Sequence, residues 1–344
     1  MKTIQIQGKT GDSTIRVGET LASLGKYAPL ERCIILTDTH VMDIYNNAFP
    51  SCKVIVIGTG EKVKTLDTVK DIYRDLTKME ADRFSFIIGI GGGVVCDIAG
   101  FVASTYMRGL RFGFVPTTLL AQVDASAGGK NGVNLDGYKN MVGVFNQPEW
   151  VICDLSFLKT LPENELLSGF AEIVKHALIE SAPLFSYIEE NDERMFSLDP
   201  GVIKRLVYDS IVIKSAVVNR DEKEKGERRK LNFGHTFGHA FEKTTGVSHG
   251  EAVSVGMVAA ARLSRHMGHL SMEDIQRIEA LLQRLRLPTR LPLDPGQIMD
   301  ALKKDKKRNG PYIHFVLLRS IGHAFIKKIP IDALRKVVEG SSGS

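Results

Sequence analysis

The sequence predicts an α/β protein in which a doubly wound N-terminal domain precedes a mostly α-helical C-terminal domain. Two observations carry that reading. Over about the first 150 residues, short apolar runs alternate with segments of helical period, the signature of a parallel sheet with crossover helices. Beyond about residue 155 the helical period takes over. A chain of 344 residues also suits about two domains. The expected bounds are 1–155 and 156–340, with 341–344 as a loose tail.

The elements follow in order. The N-terminus alternates apolar and polar residues as a strand does. Cys33-Ile34-Ile35-Leu36-Thr37 and Lys53-Val54-Ile55-Val56-Ile57 read as short buried strands. Val63, Leu66, Val69, Ile72, Tyr73 and Leu76 recur at helical spacing over 63–80. Phe84 to Ile90 is a third strand, running into Gly91-Gly92-Gly93 and a helix over 94–103. Right-handed crossovers then leave few topologies. Helices are expected over 163–180, 200–220, 233–243, 251–267 and 272–285. Ser271 and Asp274 suggest a capping box for the last of these. Asp294-Pro295 marks a further helix start. Tyr312–Leu318 and Ala324–Ile329 read as strands. A ligand is expected in the crevice between the two domains.

Composition narrows the function. Hydrophobic residues make up 43% and charged residues 25%, which is ordinary globular usage and argues against disorder. A net charge of +5 is too small for a general nucleic-acid binder but suits a small anionic substrate. No apolar run reaches the roughly 18–20 residues of a membrane helix, and no secretory signal is read. Cys33, Cys52, Cys96 and Cys153 lie far apart, as expected of reduced thiols in a cytoplasmic protein.

Three groups of residues carry chemistry. Gly91-Gly92-Gly93 joins a strand to a helix, so backbone N–H groups there could receive a pyrophosphate. The spacing is neither the standard dinucleotide fingerprint nor a Walker loop, and a tight turn without a ligand competes. Asp38 could accept from a ribose, or be a solvated loop aspartate. His235 and His239 stand four apart, on one helix face, and His249 follows. With an acid such as Glu172 they could supply the three or four N and O donors a divalent metal needs. Spacing leaves open whether both His235 and His239 bind it. Lys130, in a glycine-bearing loop, and Lys139-Asn140, in another, could present cations to an anion. Arg108, Lys214, Arg228 and the basic run from Lys303 to Arg308 are solvated surface charges unless a site gathers them.

The segments GGGVVCDIAGF, YMRGL, PTTLLAQVDASAGGKNGVN, GYKNMVGVFNQP, LKTLP, GFAEIVKHALI, LNFGHTFGHAFE and HGEAVSVGM resemble the 3-dehydroquinate synthase family. The resemblance runs from about Asp38 to Asp305-Lys306-Lys307. It implies an N-terminal NAD-binding domain and a C-terminal metal-binding domain, a homodimer, and no nucleic-acid or membrane partner. It implies zinc or cobalt on Glu172, His235 and His249. It implies NAD contacts from Asp38, Glu61, Lys64, Gly92, Gly93, Val94, Asp97, Thr117, Thr118, Lys130, Lys139, Phe157 and Thr160. The substrate would meet Arg108, Asp124, Lys130, Asn140, Lys175, Lys214, Arg228, Asn232, His239 and Lys306, Lys307 matching the motif as well as Lys306.

The implied reaction takes 3-deoxy-D-arabino-heptulosonate 7-phosphate to 3-dehydroquinate and phosphate. Its steps are transient NAD-dependent oxidation at C5, β-elimination of phosphate, re-reduction, ring opening and intramolecular aldol closure. His176 stands where the family frequently has tyrosine, and Asn131 where threonine is frequent. Both bear on fine substrate preference rather than reaction class. The alternatives are a sibling cyclase acting on sedoheptulose 7-phosphate or glucose 6-phosphate, a metal-dependent polyol dehydrogenase, and a non-catalytic nucleotide-binding module.

Overall fold

A computed structural model describes residues 1–292, 294–303 and 308–335. Lys306, Lys307 and the expected tail at 341–344 lie outside the described residues. The chain divides into two compact units, Met1–Leu161 with Ile203–Glu222, and Pro162–Val202 with Lys223–Ser344. The division falls at Leu161 rather than 155, and a later stretch rejoins the first unit.

The first unit contains β1 (Lys2–Gly8), β2 (Gly11–Val17), β3 (Cys33–Asp38), α1 (Thr39–Tyr45), β4 (Lys53–Ile57), α2 (Leu66–Lys78), β5 (Phe86–Gly91), α3 (Gly93–Thr105), β6 (Arg111–Pro116), β7 (Lys130–Leu135), β8 (Tyr138–Phe145) and β9 (Trp150–Cys153). Seven of these strands form one sheet in the order β1-β2-β9-β6-β5-β3-β4. All pairs are parallel except β1 with β2. The chain steps from β3 outward to β4, then back across β3 to β5, β6 and β9. Winding therefore reverses between β3 and β5, and their carboxyl ends flank the crevice where open α/β sheets bind ligands.

Alternation along the strands builds the core. Cys33, Ile35, Phe86, Ile88, Ile90, Trp150 and Ile152 share one buried cluster with Leu21, Leu24 and Val41. Burying such a side chain contributes roughly 1.5–3 kcal/mol each. Phe86 stacks on Trp150 with ring centroids 5.7 Å apart. Helix α3 is buried over most of its length, from Val95 and Cys96 to Val102 and Ala103, so its apolar composition suits an interior helix.

Then come α4 (Glu163–Glu180), α5 (Ala182–Phe196), α6 (Pro200–Arg220), α7 (His235–Thr245), α8 (His249–His266), α9 (Met272–Arg284), α10 (Pro295–Lys303), β10 (Arg308–Asn309), β11 (Tyr312–Ser320) and β12 (His323–Pro330). The last three strands form their own antiparallel sheet. Ser271 caps α9, accepting from the Asp274 N–H at 3.0 Å, but Asp274 does not return a bond to the Ser271 N–H, so the cap is single rather than the expected box. Asp294 caps α10 through the N–H groups of Gly296 and Gln297. Among the described residues no helix is long and apolar enough to cross a membrane.

From Ile203 onward α6 belongs to the first unit, and side chains show why. Asn219 Oδ1 accepts from the Gln7 N–H at 3.1 Å. Just past the helix, Glu222 accepts from Lys9 N–H at 2.9 Å, Thr10 Oγ1 at 2.5 Å and Gln147 Nε2 at 3.2 Å. Burial alone would raise its carboxyl pKa, but the Thr10, Gln147 and Lys9 donors hold it below 4.5. Stability from such a group is present above its unfolded pKa and is lost as pH falls through the lowered folded value. Replacing Glu222 by leucine should therefore cost about 2 kcal/mol near pH 7 and less near pH 3. Urea unfolding at the two pH values measures the difference; an equal cost at both would contradict the ionised role.

Candidate metal centre and nucleotide site

In the second unit, three helices bring one carboxylate and two imidazoles together. Glu172 lies mid-helix on α4 and is fully buried. His235 and His249 each take the first position of a helix, α7 and α8. Glu172 Oε1 is 3.4 Å from His235 Nε2 and 3.2 Å from His249 Nε2, and the donor atoms of the three all lie within 4.8 Å of one another. Ligands about 2.0–2.1 Å from a tetrahedral zinc stand about 3.3 Å apart, so the spacing suits one divalent ion. The donor set is right as well: two nitrogens and one oxygen leave a fourth position for substrate or water. His239, one turn along α7, is exposed and its ring is 5.4 Å from that of His235. It is not one of the trio.

The surroundings hold the donors ready. His235 Nδ1 bonds the Phe233 carbonyl at 3.1 Å, which turns Nε2 toward Glu172 and fixes the tautomer a ligand needs. His249 Nδ1 lies 3.9 Å from Glu242. Burial alone would lower the His249 pKa, but Glu172 and Glu242 outweigh it and raise it to about 9. Lys175, 1% exposed, pairs with the other Glu172 oxygen.

Local sequence explains the placement. Ser248 and Glu251 form a reciprocal capping box at the start of α8, so His249 is locked in the first turn. Helices α7 and α8 touch backbone to backbone. A Cβ on Gly256 would sit 2.1 Å from the Gly234 carbonyl oxygen and 2.9 Å from the Gly238 nitrogen. Gly234, the N-cap before His235, has φ 77°, a conformation that favours glycine.

In the first unit the candidate nucleotide residues collect at the strand ends around the winding reversal. Gly92 is the N-cap of α3 and supplies no side-chain cap, which leaves first-turn N–H groups to an anion. Thr117 N donates to the Gly91 carbonyl at 2.9 Å, placing the end of β6 beside that turn. A Cβ on Gly92 would meet Thr118 Cγ2 at 3.1 Å and one on Gly93 would meet Ala125 Cβ at 3.1 Å, so Thr118 and Ala125 pack against the turn more closely than a larger residue would allow. Val94 follows in the first turn of α3. Asp38 is no solvated loop residue: it ends β3 and caps α1, accepting from the Val41 N–H at 2.9 Å. Lys64, 4% exposed, donates to Asp97 at 2.5 Å and to Asn140 at 2.6 Å. Burial pushes the Asp97 carboxyl up, and Lys64 offsets part of that. Phe157 is buried edge-on against Tyr45, whose hydroxyl meets Thr160 Oγ1 at 2.5 Å.

Some expected settings change. Lys130 is not in a flexible loop but opens β7, and Lys139 and Asn140 lie within β8. The signal was Asp136-Gly137, both at positive φ between paired Leu135 and Tyr138. Asp-Gly is a strong two-residue hairpin turn. Helix α5 was also missed, although Ser181 caps it and Pro183 sits in its first turn. Arg108 is exposed on a short turn with φ 71°. Lys214 on α6 pairs with Asp124. Arg228 is 2% exposed, and Asn232 Nδ2 donates to Glu224 at 2.5 Å. Sequence reasoning had not singled out Glu242, the Ser248–Glu251 box or Gly256. The Ser-x-x-Glu pattern before His249 was readable.

Two variants test the centre. His235→Ala should lose bound zinc or cobalt and turnover together, read by elemental analysis and assay; metal retained at full occupancy would contradict this ligation. Gly256→Val should separate α7 from α8 and weaken metal binding at least about tenfold, with an overpacking cost of about 1–3 kcal/mol. Metal-buffer titration reads the loss, and unchanged affinity would mean that the close approach does not set the histidines.

Comparison with known proteins gives this geometry its context. A family model described as 3-dehydroquinate synthase N-terminal matches residues 54–168, and one described as its C-terminal part matches 169–308. A 3-dehydroquinate synthase of Halalkalibacterium halodurans is 40% identical over 98% of this chain and 96% of its own length. One of Symbiobacterium thermophilum is 44% identical over 88% and 89%. Among solved structures, a 2-deoxy-scyllo-inosose synthase complexed with carbaglucose-6-phosphate, NAD+ and Co2+ has a TM-score of 0.87 at 27% identity, covering 99% of this chain and 100% of that one. A 2-epi-5-epi-valiolone synthase from Streptomyces hygroscopicus with NAD+ and Zn2+ bound has a TM-score of 0.86 at 25% identity, covering 99% of each. A probable glycerol dehydrogenase from Sinorhizobium meliloti, at 16% identity and TM-score 0.67 over 95% of each chain, shares the fold alone. With both halves matched by its models and relatives of 40% identity and more along most of its length, the chain belongs to the 3-dehydroquinate synthase family.

Proposed function

We propose that the protein is a 3-dehydroquinate synthase, a phosphate-eliminating lyase that converts 3-deoxy-D-arabino-heptulosonate 7-phosphate to 3-dehydroquinate and phosphate. The observation that carries the reading is the Glu172, His235 and His249 trio, standing in a chain matched to that family over residues 54–308. The reading includes a homodimer in the cytoplasm. The four free cysteines suit a reducing compartment, and burial pushes the Cys33 thiol up to about 12.

NAD, when bound, supplies reversible hydride transfer at C5, and a divalent metal on Glu172, His235 and His249 supplies Lewis-acid polarisation. The chain's own residues bind, orient and move protons. Lys130 and Asn140 hold the phosphate, their positive charge and N–H donors favouring the departing dianion. Arg228 receives the carboxylate, its fork of N–H donors suiting a bidentate pair. His239, exposed beside His235, relays the proton that leaves the carbon next to the transient ketone. Lys175 and Lys214 are held in place by Glu172 and Asp124, and so present oriented ammonium groups. Asn232 orients ring hydroxyls. Lys64 and Asp97 hold the cofactor side. Elimination, ring opening and aldol closure then need only proton shuttling in a fixed conformer.

The test offers the NAD- and metal-loaded protein three sugars separately. Heptulosonate 7-phosphate should release phosphate with no lasting NADH absorbance. Release only from sedoheptulose 7-phosphate or glucose 6-phosphate would reassign it among the sibling cyclases, and NADH that accumulates on turnover would reassign it as a dehydrogenase.

A further inference from the structure

Resting on that reading, we infer that Asn134 is a positioning residue that couples the cofactor side of the site to the phosphate side. The β7–β8 ladder pairs Val133 with Val142 and Leu135 with Tyr138. Between them Asn134 alone faces Lys139, Asn140 and Met141, a bulge of three residues against one. Bulges re-aim side chains next to active sites. Here the bulge places Asn140 at φ 54°, a left-handed conformation that asparagine tolerates better than most residues.

Asn134 holds the bulge with both ends of its amide. Its Oδ1 accepts the Asn140 N–H at 2.8 Å, replacing the ladder partner that the bulge removes. Its Nδ2 donates to Glu61 Oε1 at 2.8 Å. Its backbone N–H reaches the Lys64 carbonyl at 2.8 Å, and Thr65 bridges to it as a parallel pair. Lys64 Nζ closes the circuit on Asn140 Oδ1 at 2.6 Å. With that oxygen occupied by an ammonium, Asn140 is oriented to present its Nδ2–H groups as donors, the orientation an anion requires. One side chain thus sets Glu61 and Lys64 on the nucleotide side and Asn140 on the phosphate side. Its backbone bonds survive substitution, so variants keep the strand.

The experiment compares the NAD- and metal-loaded wild type with Asn134→Ala, Asn134→Asp, Glu61→Gln and the double exchange. Asn134→Asp keeps the acceptor for Asn140 but sets a carboxylate against Glu61. It should raise the Kd for NAD about tenfold and leave the sugar-phosphate KM, at saturating NAD, within about twofold. Adding Glu61→Gln restores a donor–acceptor pair with its direction reversed, so the double exchange should bind NAD within about twofold of Glu61→Gln alone. Asn134→Ala removes both bonds and should raise Kd and KM alike, with the melting temperature little moved. The inference is overturned if Asn134→Asp weakens NAD binding as much in the Glu61→Gln background as in the wild type, or if Asn134→Ala leaves KM unchanged at saturating NAD. A wild type inactive on every sugar phosphate would instead remove the functional reading beneath it.

Discussion

An ionised carboxylate out of contact with water needs a cation or hydrogen-bond donors beside it, and the second unit is organised around that requirement at Glu172. Removing an ion from water costs several kcal/mol even after relaxation. Lys175 offsets it directly, and two imidazoles stand beside the same carboxylate, where a bound cation would be shared. They arrive from three helices, so the electrostatic demand becomes a packing demand. Helices α7 and α8 must approach until their backbones touch, which only the glycines at 234, 238 and 256 permit. The Ser248–Glu251 box then sets the rotation of α8 at the residue that matters. The same buried charge that would be a liability in an apolar core is what suits the trio to a divalent cation.

The first unit solves a different problem by different means. Its candidate nucleotide residues are mostly strand ends and helix starts, whose positions follow from the sheet. Asp38 and Gly91 stand on either side of the reversal because β3 and β5 are neighbours. The exception is the β7–β8 hairpin, outside the main sheet, where irregular pairing rather than regular register aims the side chains.

That contrast also explains what could be read from the residues. Cys33–Asp38, Lys53–Ile57 and the strand before Gly91 are continuous β-branched and apolar runs, and long helices such as α4 and α6 repeat their apolar positions over many turns; both signals are local and strong. The β7–β8 hairpin is written in Gly, Asn and Lys, which individually favour loops, so only its Asp136-Gly137 turn betrays it. In the candidate metal centre, the four-residue spacing of His235 and His239 is the visible pattern, whereas the grouping of donor atoms joins His235 to His249 and Glu172 across three helices. Such a grouping exists only in three dimensions, and it was legible through likeness to a family rather than through periodicity. The return of α6 to the first unit left no trace in composition, because the bonds that hold it involve Asn219 and Glu222, polar residues that elsewhere would face water.

The discontinuity of the first unit has a consequence in time. Its sheet is complete by Cys153, yet Gln7, Thr10 and Gln147 wait for Asn219 and Glu222. On a ribosome that delivers the chain from the N-terminus, the unit that begins first finishes only after two helices of the other have been made. Long-range contacts of this kind slow folding. A fragment cut after Leu161 would carry every strand of the large sheet and still present unmatched donors along its first hairpin. The unit is contiguous in space but not along the gene, and dissecting the protein at the apparent sequence boundary divides a structure that the chain completes only at Glu222.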